Sequence, residues 1–436
     1  MDSMSFSFLS ILQGLGGLVF LVGLLWLFSS NRKAISWPLV VKGLILQIIF
    51  AVAILKIGFI ATGFEWISKA FVKIISFTNF GSEFLFGQFG SGAIHPALGN
   101  FAFVVLPTII FFSALTSLLY YLGILQKVVY GVAWVMKRAL KLSGAESLAT
   151  AGNIFLGQTE APLLIKPYLG QMTKSEIMAL MTGGMATIAG GVLAAYIGFL
   201  GGDSVAEQTL FAKHLLAASI MSAPAALIAA KILVPETEEF DNTMHLNKEK
   251  MGANVLEAIS NGTTDGLKLA INVAAMLLVF TALIYMFNYF LFKIGDYTMI
   301  NDWVAANTSA YDKLSFQFIL GYVFAPISWL IGVPYADIVT VGQLLGEKTI
   351  LNEFYAYATM GDMKAAGVFS SQKSLIMATY ILCGFSNVAS IGIQIGGIGA
   401  LVPEKRGLLS KLGVKALIGG TVASLFTAAV VGMFFA

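Results

Sequence analysis

Eight apolar stretches of the chain are each long enough to cross a lipid bilayer as a helix. A hydrocarbon core of about 30 Å is spanned by about 20 helical residues. Because lipid offers backbone amides and carbonyls no partners, apolar segments of this length must be helical. The sequence therefore predicts an all-α polytopic membrane protein with eight transmembrane helices. The predicted spans are residues 8–28, 38–62, 101–125, 177–200, 210–234, 267–292, 374–402 and 414–435.

The composition supports burial in lipid and argues against a nucleic-acid partner. Of 436 residues, 58% are hydrophobic and 11% are charged, which a soluble domain of ordinary composition does not show. The net charge is +3, and no basic stripe with exposed aromatics is present. The residues before the first span lack the Lys/Arg cluster of a cleaved signal peptide, so we expect this span to be retained.

The distribution of Lys and Arg in the loops predicts the orientation. Basic loops at 31–33, 127–141 and 404–411 all fall on one side of the predicted helices. The loops on the other side are acidic or neutral, so the basic side is predicted to be cytoplasmic. Both termini are then non-cytoplasmic, and the protein is placed in the inner (plasma) membrane as a multi-pass protein.

Three further segments are apolar but are poor candidates for transmembrane spans. Residues 63–77 and 128–141 alternate charged and apolar positions at helical spacing, and 316–332 is short and contains Pro326. We expect these segments to form interfacial, surface or re-entrant helices.

Two stretches, 143–173 and 336–364, are apolar at both ends and polar in the middle, without room for two full crossings. Each is predicted to form a re-entrant helical hairpin, with Glu160 and Glu353 at equivalent places in the two tips. Each hairpin precedes a helix interrupted by small and polar residues, near 185–191 and 385–392 respectively. The predicted orientation makes the two halves opposed, as in the inverted repeats of many secondary transporters.

The polar residues of the tips and breaks predict a binding site at mid-membrane. A carboxylate in hydrocarbon costs several kcal/mol unless it is paired, hydrogen-bonded or hydrated, so both glutamates should line a cavity. The simpler alternative is that each glutamate caps a nearby helix end. No Arg lies in either tip, and Lys166 and Lys348 lie outside the polar clusters, which favours a neutral ligand rich in hydroxyl and amide groups. The polar pocket residues are Gln158, Thr159, Glu160, Glu353, Asn387 and Ser390.

Three other side chains have two interpretations each. Phe385 either supplies a flat surface against a ring or packs in the core. Asn153 and Thr187 offer neutral oxygens suited to a cation such as sodium, or they hydrogen-bond between helices. The chain contains no His-Glu-x-x-His motif, and we expect no cofactor beyond a coupling ion.

Three phrases of the sequence, at 157–168, 346–357 and 383–397, together resemble the concentrative nucleoside transporter family, in its bacterial, sodium-coupled form. The resemblance extends from about residue 101 to the C-terminus. It implies a homotrimer in which scaffold helices surround three transport domains that move between the two faces like elevators.

The resemblance also implies residue roles. The nucleobase would contact Gln158, Thr159, Glu160 and Val192. The ribose would contact Glu353, Asn387 and Ser390, with Phe385 packed nearby. Sodium would be held by Asn153, Leu156, Thr187 and Ile188.

The predicted function is therefore sodium-coupled import of nucleosides such as uridine, without enzymatic activity. The alternatives are a proton-coupled nucleoside symporter, a channel, and a membrane-embedded transferase, although the sequence lacks the Asp-rich motif that such a transferase needs. The predicted divisions are scaffold helices at 1–125, a first transport repeat at 126–235, a linker and long scaffold helix at 236–315, and a second transport repeat at 316–436.

Overall fold

The computed structural model describes residues 7–86, 103, 105–202, 204–241, 243–244, 252–308 and 310–435. These residues form helices and connecting turns, with no β-strand among them. The helices are α1 (Phe8–Leu27), α2 (Trp37–Lys56), α3 (Gly58–Phe86), α4 (Leu106–Tyr121), α5 (Ile124–Leu140), α6 (Gly144–Asn153), α7 (Ala161–Leu164), α8 (Lys174–Ala186), α9 (Gly190–Gly201), α10 (Val205–Leu233), α11 (Val255–Thr298), α12 (Ile300–Asn307), α13 (Phe316–Leu330), α14 (Ile338–Ile350), α15 (Glu353–Ala365), α16 (Gln372–Leu382), α17 (Val388–Leu401) and α18 (Arg406–Gly432).

Within the described residues, six helical segments are long and apolar enough to cross a membrane. They are α1, α2, α8 with α9, α10, α11, and α18 with the turn before it, and they correspond to six of the eight predicted spans. The predicted span 101–125 appears as α4, which has 16 residues and bends by 77° into α5. Residues 101, 102 and 104 of that span lie outside the described part. The predicted span 374–402 is divided into α16 and α17 by residues 383–387.

Several helix boundaries differ from the prediction. The span predicted at 38–62 ends at Lys56, because the chain becomes extended at Ile57 before α3 begins. The helix predicted at 63–77 therefore starts earlier and continues to Phe86. The span predicted at 267–292 belongs to the 44-residue α11, whose start is capped by the Asn254 side chain, which accepts a hydrogen bond from the Glu257 amide at 2.9 Å.

The two halves contain the same sequence of elements. A pair of helices (α6–α7, then α14–α15) is followed by a broken helix (α8–α9, then α16–α17) and by an unbroken helix (α10, then α18). Helix α10 packs against α18, and α18 packs against α8 and α16, so the two halves share one core. This order agrees with the predicted repeat. The re-entrant nature and opposed orientation of the hairpins stay predictions.

The two broken helices touch where they are interrupted. Gly384 has φ +110°, a conformation that L side chains rarely adopt. A Cβ atom at this position would lie 2.7 Å from the Ala186 carbonyl oxygen, at the end of α8. The backbones at the two breaks are therefore in direct contact, which brings the polar residues of both breaks to the centre of the molecule.

We expect Gly384→Ala to destabilise the protein by about 2 kcal/mol or more, because it combines backbone strain with a clash against Ala186. Thermal unfolding of the purified protein in detergent measures this. The matched control is Gly392→Ala in α17, where a Cβ meets nothing within 4 Å. That variant should unfold at the wild-type temperature or above it. Equal unfolding temperatures for Gly384→Ala and wild type would contradict the close contact.

Candidate functional site

A cavity of about 300 Å³ lies between the two hairpin tips, the two helix breaks and one face of α11. Glu160 and Glu353 both line it, so the structure brings the two tips together as expected. All eight residues predicted to contact substrate are among the lining residues: Gln158, Thr159, Glu160, Val192, Glu353, Phe385, Asn387 and Ser390. Their roles toward a ligand stay predictions.

The first hairpin contributes a short turn between α6 and α7. One carboxylate oxygen of Glu160 accepts a hydrogen bond from the Gly157 amide at 2.7 Å, which closes the turn. Glu160 therefore bonds to the backbone of the turn before α7, makes no side-chain cap bond to α7 itself, and faces the cavity. The Gln158 amide donates to the Ser390 hydroxyl at 3.1 Å, and the buried Gln158 Oε1 has no hydrogen-bond partner among the described residues.

The second hairpin positions Glu353 through a helix cap. The Asn352 side chain accepts a hydrogen bond from the Tyr355 amide at 2.9 Å, so α15 begins at Glu353. Glu353 is 3% exposed. Its Oε2 accepts a hydrogen bond from the Asn387 amide group at 2.8 Å, and its Oε1 accepts one from the Tyr196 hydroxyl at 3.3 Å. One donor from α9 and one from the second helix break therefore hold this carboxylate.

The second helix break also contains an asparagine that caps the helix after it. The Asn387 Oδ1 accepts a hydrogen bond from the Ser390 amide at 2.9 Å and so caps α17, while its Nδ2 donates to Glu353. A single asparagine thus ends the break and orients the carboxylate. Phe385, in the same break, supplies part of the apolar wall.

Sequence reasoning missed two contributions to the site. Tyr196 of α9 reaches Glu353, and its ring stacks on Tyr357 with centroids 4.2 Å apart. Nothing distinguishes Tyr196 from core aromatics in its apolar run. Helix α11 supplies Leu269, Asn272, Val273 and Met276 to the cavity wall. Of these, only Asn272 carries a sequence signal, as a polar residue within an apolar stretch.

The four residues predicted to hold sodium are buried around the first tip and the first break. The Thr187 hydroxyl donates to the Gly183 carbonyl at 2.9 Å, and a Cβ at Gly183 would lie 2.9 Å from the Asn153 Nδ2. Asn153 and Thr187 therefore both approach Gly183 of α8. The buried Asn153 Oδ1 has no hydrogen-bond partner among the described residues. Leu156 and Ile188, the other two, are nearly inaccessible to solvent.

This set of neutral oxygens fits a hard monovalent cation better than a transition metal. The described residues contain no group of three or more His, Cys, Asp or Glu side chains placed to hold a metal ion. An amide of the first break also bonds to the first tip, since the Gly190 amide donates to the Phe155 carbonyl at 3.3 Å. The first tip and the first break are therefore hydrogen-bonded to each other beside the predicted ion site.

Comparison with known proteins identifies the family of the chain. Three family profiles match the chain: "Na+ dependent nucleoside transporter N-terminus" at residues 16–89, "Nucleoside recognition" at 102–203 and "Na+ dependent nucleoside transporter C-terminus" at 214–432. An uncharacterized transporter of Haemophilus influenzae is 39% identical over 430 residues, which are 98% of each chain. The chain belongs to the concentrative, sodium-dependent nucleoside transporter family. It is therefore a transporter and not an enzyme.

Other members show the same relationship. The rat sodium/nucleoside cotransporter 1 is 40% identical over 437 residues, which cover 96% of this chain and 62% of the rat protein. The structure of CNTnw in an inward-facing, substrate-bound state matches with a TM-score of 0.86 and 35% identity, over 98% of this chain and 99% of CNTnw. A CNTnw variant in an outward-facing state matches with a TM-score of 0.85 and 33% identity, over 97% of each chain.

We expect Tyr196→Phe to lower the affinity for a nucleoside by roughly three- to tenfold, because Glu353 loses one of its two donors while the ring stacking is kept. Isothermal titration calorimetry on the purified protein measures this. Tyr357→Phe is the matched control, since the Tyr357 hydroxyl donates to the Thr379 carbonyl at 2.8 Å and not to Glu353. Equal losses in both variants would mean that the hydroxyl of Tyr196 has no specific role.

Proposed function

We propose that the protein is a secondary active symporter that imports nucleosides such as uridine on a sodium gradient. The observation that carries this proposal is the shared cavity, to which both hairpin tips and both helix breaks contribute. Such a site, built from helix ends in the centre of the molecule, is the arrangement through which secondary transporters expose one site alternately to either side.

The lining residues support an uncharged, hydroxyl-rich substrate. The lining contains Glu160 and Glu353 but no Lys or Arg among the described residues, so an anionic ligand finds no counter-charge. In the proposed mode, Gln158, Thr159, Glu160 and Val192 contact the base. The ribose hydroxyls donate to Glu353 and bond to Asn387 and Ser390, with Phe385 against the sugar or base.

The buried oxygens near the first tip support sodium as the coupling ion. We place sodium between Asn153 and Thr187, with Leu156 and Ile188 supplying main-chain carbonyls. Bound sodium would hold the first tip against the first break, so that Gln158 and Glu160 are ordered for the base, which couples the two ligands by linkage.

The energy available from one sodium ion is sufficient. An ion entering at about 100 mV gains about 2.3 kcal/mol, and a tenfold concentration gradient adds about 1.4 kcal/mol. Together these concentrate a neutral solute roughly 500-fold.

The assembly and movement are part of the proposal. Helix α11 exposes large apolar side chains over much of its length, for example Leu278 and Tyr285, which supports contact with lipid or with other copies of the chain. We infer a homotrimer in the inner membrane, with both termini non-cytoplasmic. In each protomer, the two repeats at 126–235 and 316–436 would move as an elevator against scaffold helices at 1–125 and 236–315.

Uptake by sealed proteoliposomes tests the function. We expect uphill accumulation of labelled uridine with an inward sodium gradient and its loss when choline replaces sodium at fixed pH. Accumulation that persists in choline and follows an imposed pH gradient would favour the proton-coupled alternative. Equilibration without accumulation would favour a channel.

Uridine affinity should also be higher in sodium than in choline, and equal values would contradict the coupling through the first tip.

We expect Glu353→Gln to abolish uptake and leave the protein folded, because the ribose hydroxyls lose a charged acceptor and Asn387 loses its charged partner. Glu347→Gln is the matched control, since Glu347 is equally buried in the same hairpin but does not line the cavity. Uptake and thermal unfolding are measured on both variants. Normal uptake by Glu353→Gln would mean that the site is misplaced.

A further inference from the structure

Lys348 of α14 is a buried lysine in the second hairpin, and the lining of the cavity does not include it. Its side chain has 0% exposure. Burying an ammonium group is costly unless its protons are bonded, and here all three have acceptors. The Nζ donates to the Ile381 carbonyl at 2.8 Å, the Ser424 hydroxyl at 3.0 Å and the Cys383 carbonyl at 3.2 Å.

Two of these acceptors are main-chain carbonyls at the end of α16. Carbonyls at a helix C-terminus lack intrahelical partners and carry partial negative charge, so an ammonium group is a favourable partner. The third acceptor, Ser424, belongs to α18 and also donates to the Thr421 carbonyl at 2.9 Å. Lys348 therefore joins the second hairpin to the start of the second break and to α18.

The position of Lys348 closes a loop of contacts around the ribose side of the cavity. Along the hairpin, residues 349–352 separate Lys348 from Glu353. Along the break, residues 384–386 separate Cys383 from Asn387. Lys348 holds Cys383 at one end of these two segments, and Glu353 holds Asn387 at the other with a 2.8 Å hydrogen bond. The break is thus fixed to the hairpin at both of its ends.

We propose that Lys348 is a positioning residue that sets the separation between Glu353 and Asn387, and thereby the affinity of the cavity for the two ribose hydroxyls. This inference rests on the proposed function, since it assumes that the ligand is a nucleoside. Without the ammonium group, the end of α16 is released from α14. Glu353 and Asn387 can then drift apart, while Glu160 on the base side keeps its hydrogen bond from the Gly157 amide within the first tip.

The test compares two ligands on the full-length purified protein in sodium. Lys348→Met keeps the length and bulk of the side chain and removes its charge. We expect this variant to bind uridine at least about tenfold more weakly than wild type does. The reason is that the hydrogen bonds from the ribose hydroxyls to the Glu353 carboxylate are then misaligned. Binding of 2′,3′-dideoxyuridine, which lacks both hydroxyls, should stay within about twofold of wild type. If Lys348 had a purely structural role, the substitution would lower the affinities for both ligands alike.

Two further variants make the test decisive. Lys364→Met is the matched control: Lys364 is in the same hairpin and donates to the Leu200 carbonyl at 2.9 Å, at the end of α9, away from the cavity. It should leave both affinities unchanged. Ser424→Ala removes one hydrogen-bond acceptor of Lys348 and should weaken the binding of uridine, but by less than Lys348→Met does. This variant provides the test if Lys348→Met does not fold.

The outcomes separate the inference from the function. Wild-type protein that does not bind uridine would overturn the proposed function. Wild-type protein that binds uridine and dideoxyuridine equally would overturn the ribose contacts, and the role of Lys348 with them. If wild type prefers uridine to dideoxyuridine, the same preference in a folded Lys348→Met variant would overturn the positioning role alone. Where Lys348→Met does not fold, the same preference in Ser424→Ala would overturn it.

Discussion

The architecture depends on how backbone groups are satisfied where helices stop inside the protein. A broken helix exposes amides and carbonyls that lipid cannot partner, and each unsatisfied group costs several kcal/mol. In the first break, the Thr187 hydroxyl and the Phe155 carbonyl take up such groups. In the second break, Asn387 caps α17 and Lys348 binds the carbonyls at the end of α16. In both breaks these partners belong to the same half as the break, so each hairpin and the broken helix that follows it stabilise one another.

The same requirement produces the cavity. Side chains that cap the helix ends are polar, are held by the backbone, and have spare groups that point inward. Asn387 caps with its oxygen and binds Glu353 with its nitrogen, whereas Gln158 binds Ser390 with its nitrogen and leaves its oxygen free of partners in the described residues. A rigid polar surface of this kind binds a ligand without a large loss of conformational entropy.

The sequence was sufficient to locate the polar tips and breaks, because Glu160, Glu353 and Asn387 interrupt apolar runs where nothing else explains them. It was insufficient where a functional contact comes from a residue typical of its surroundings. Tyr196 resembles any aromatic of a buried helix, and the α11 residues reach the cavity only through tertiary packing. Helix limits such as Lys56 also escaped prediction, since hydrophobicity continues across the break at Ile57.

Cys383, whose carbonyl accepts a hydrogen bond from Lys348, is the only cysteine of the chain, and its thiol is buried. Thiol reagents added to the folded protein should therefore react slowly with the native chain. A cysteine introduced at an exposed position of α11 and another on a hairpin can then be labelled with little background. Distances between paired spin labels or fluorophores at such positions would report the displacement of the two repeats relative to α11 without removal of the native cysteine.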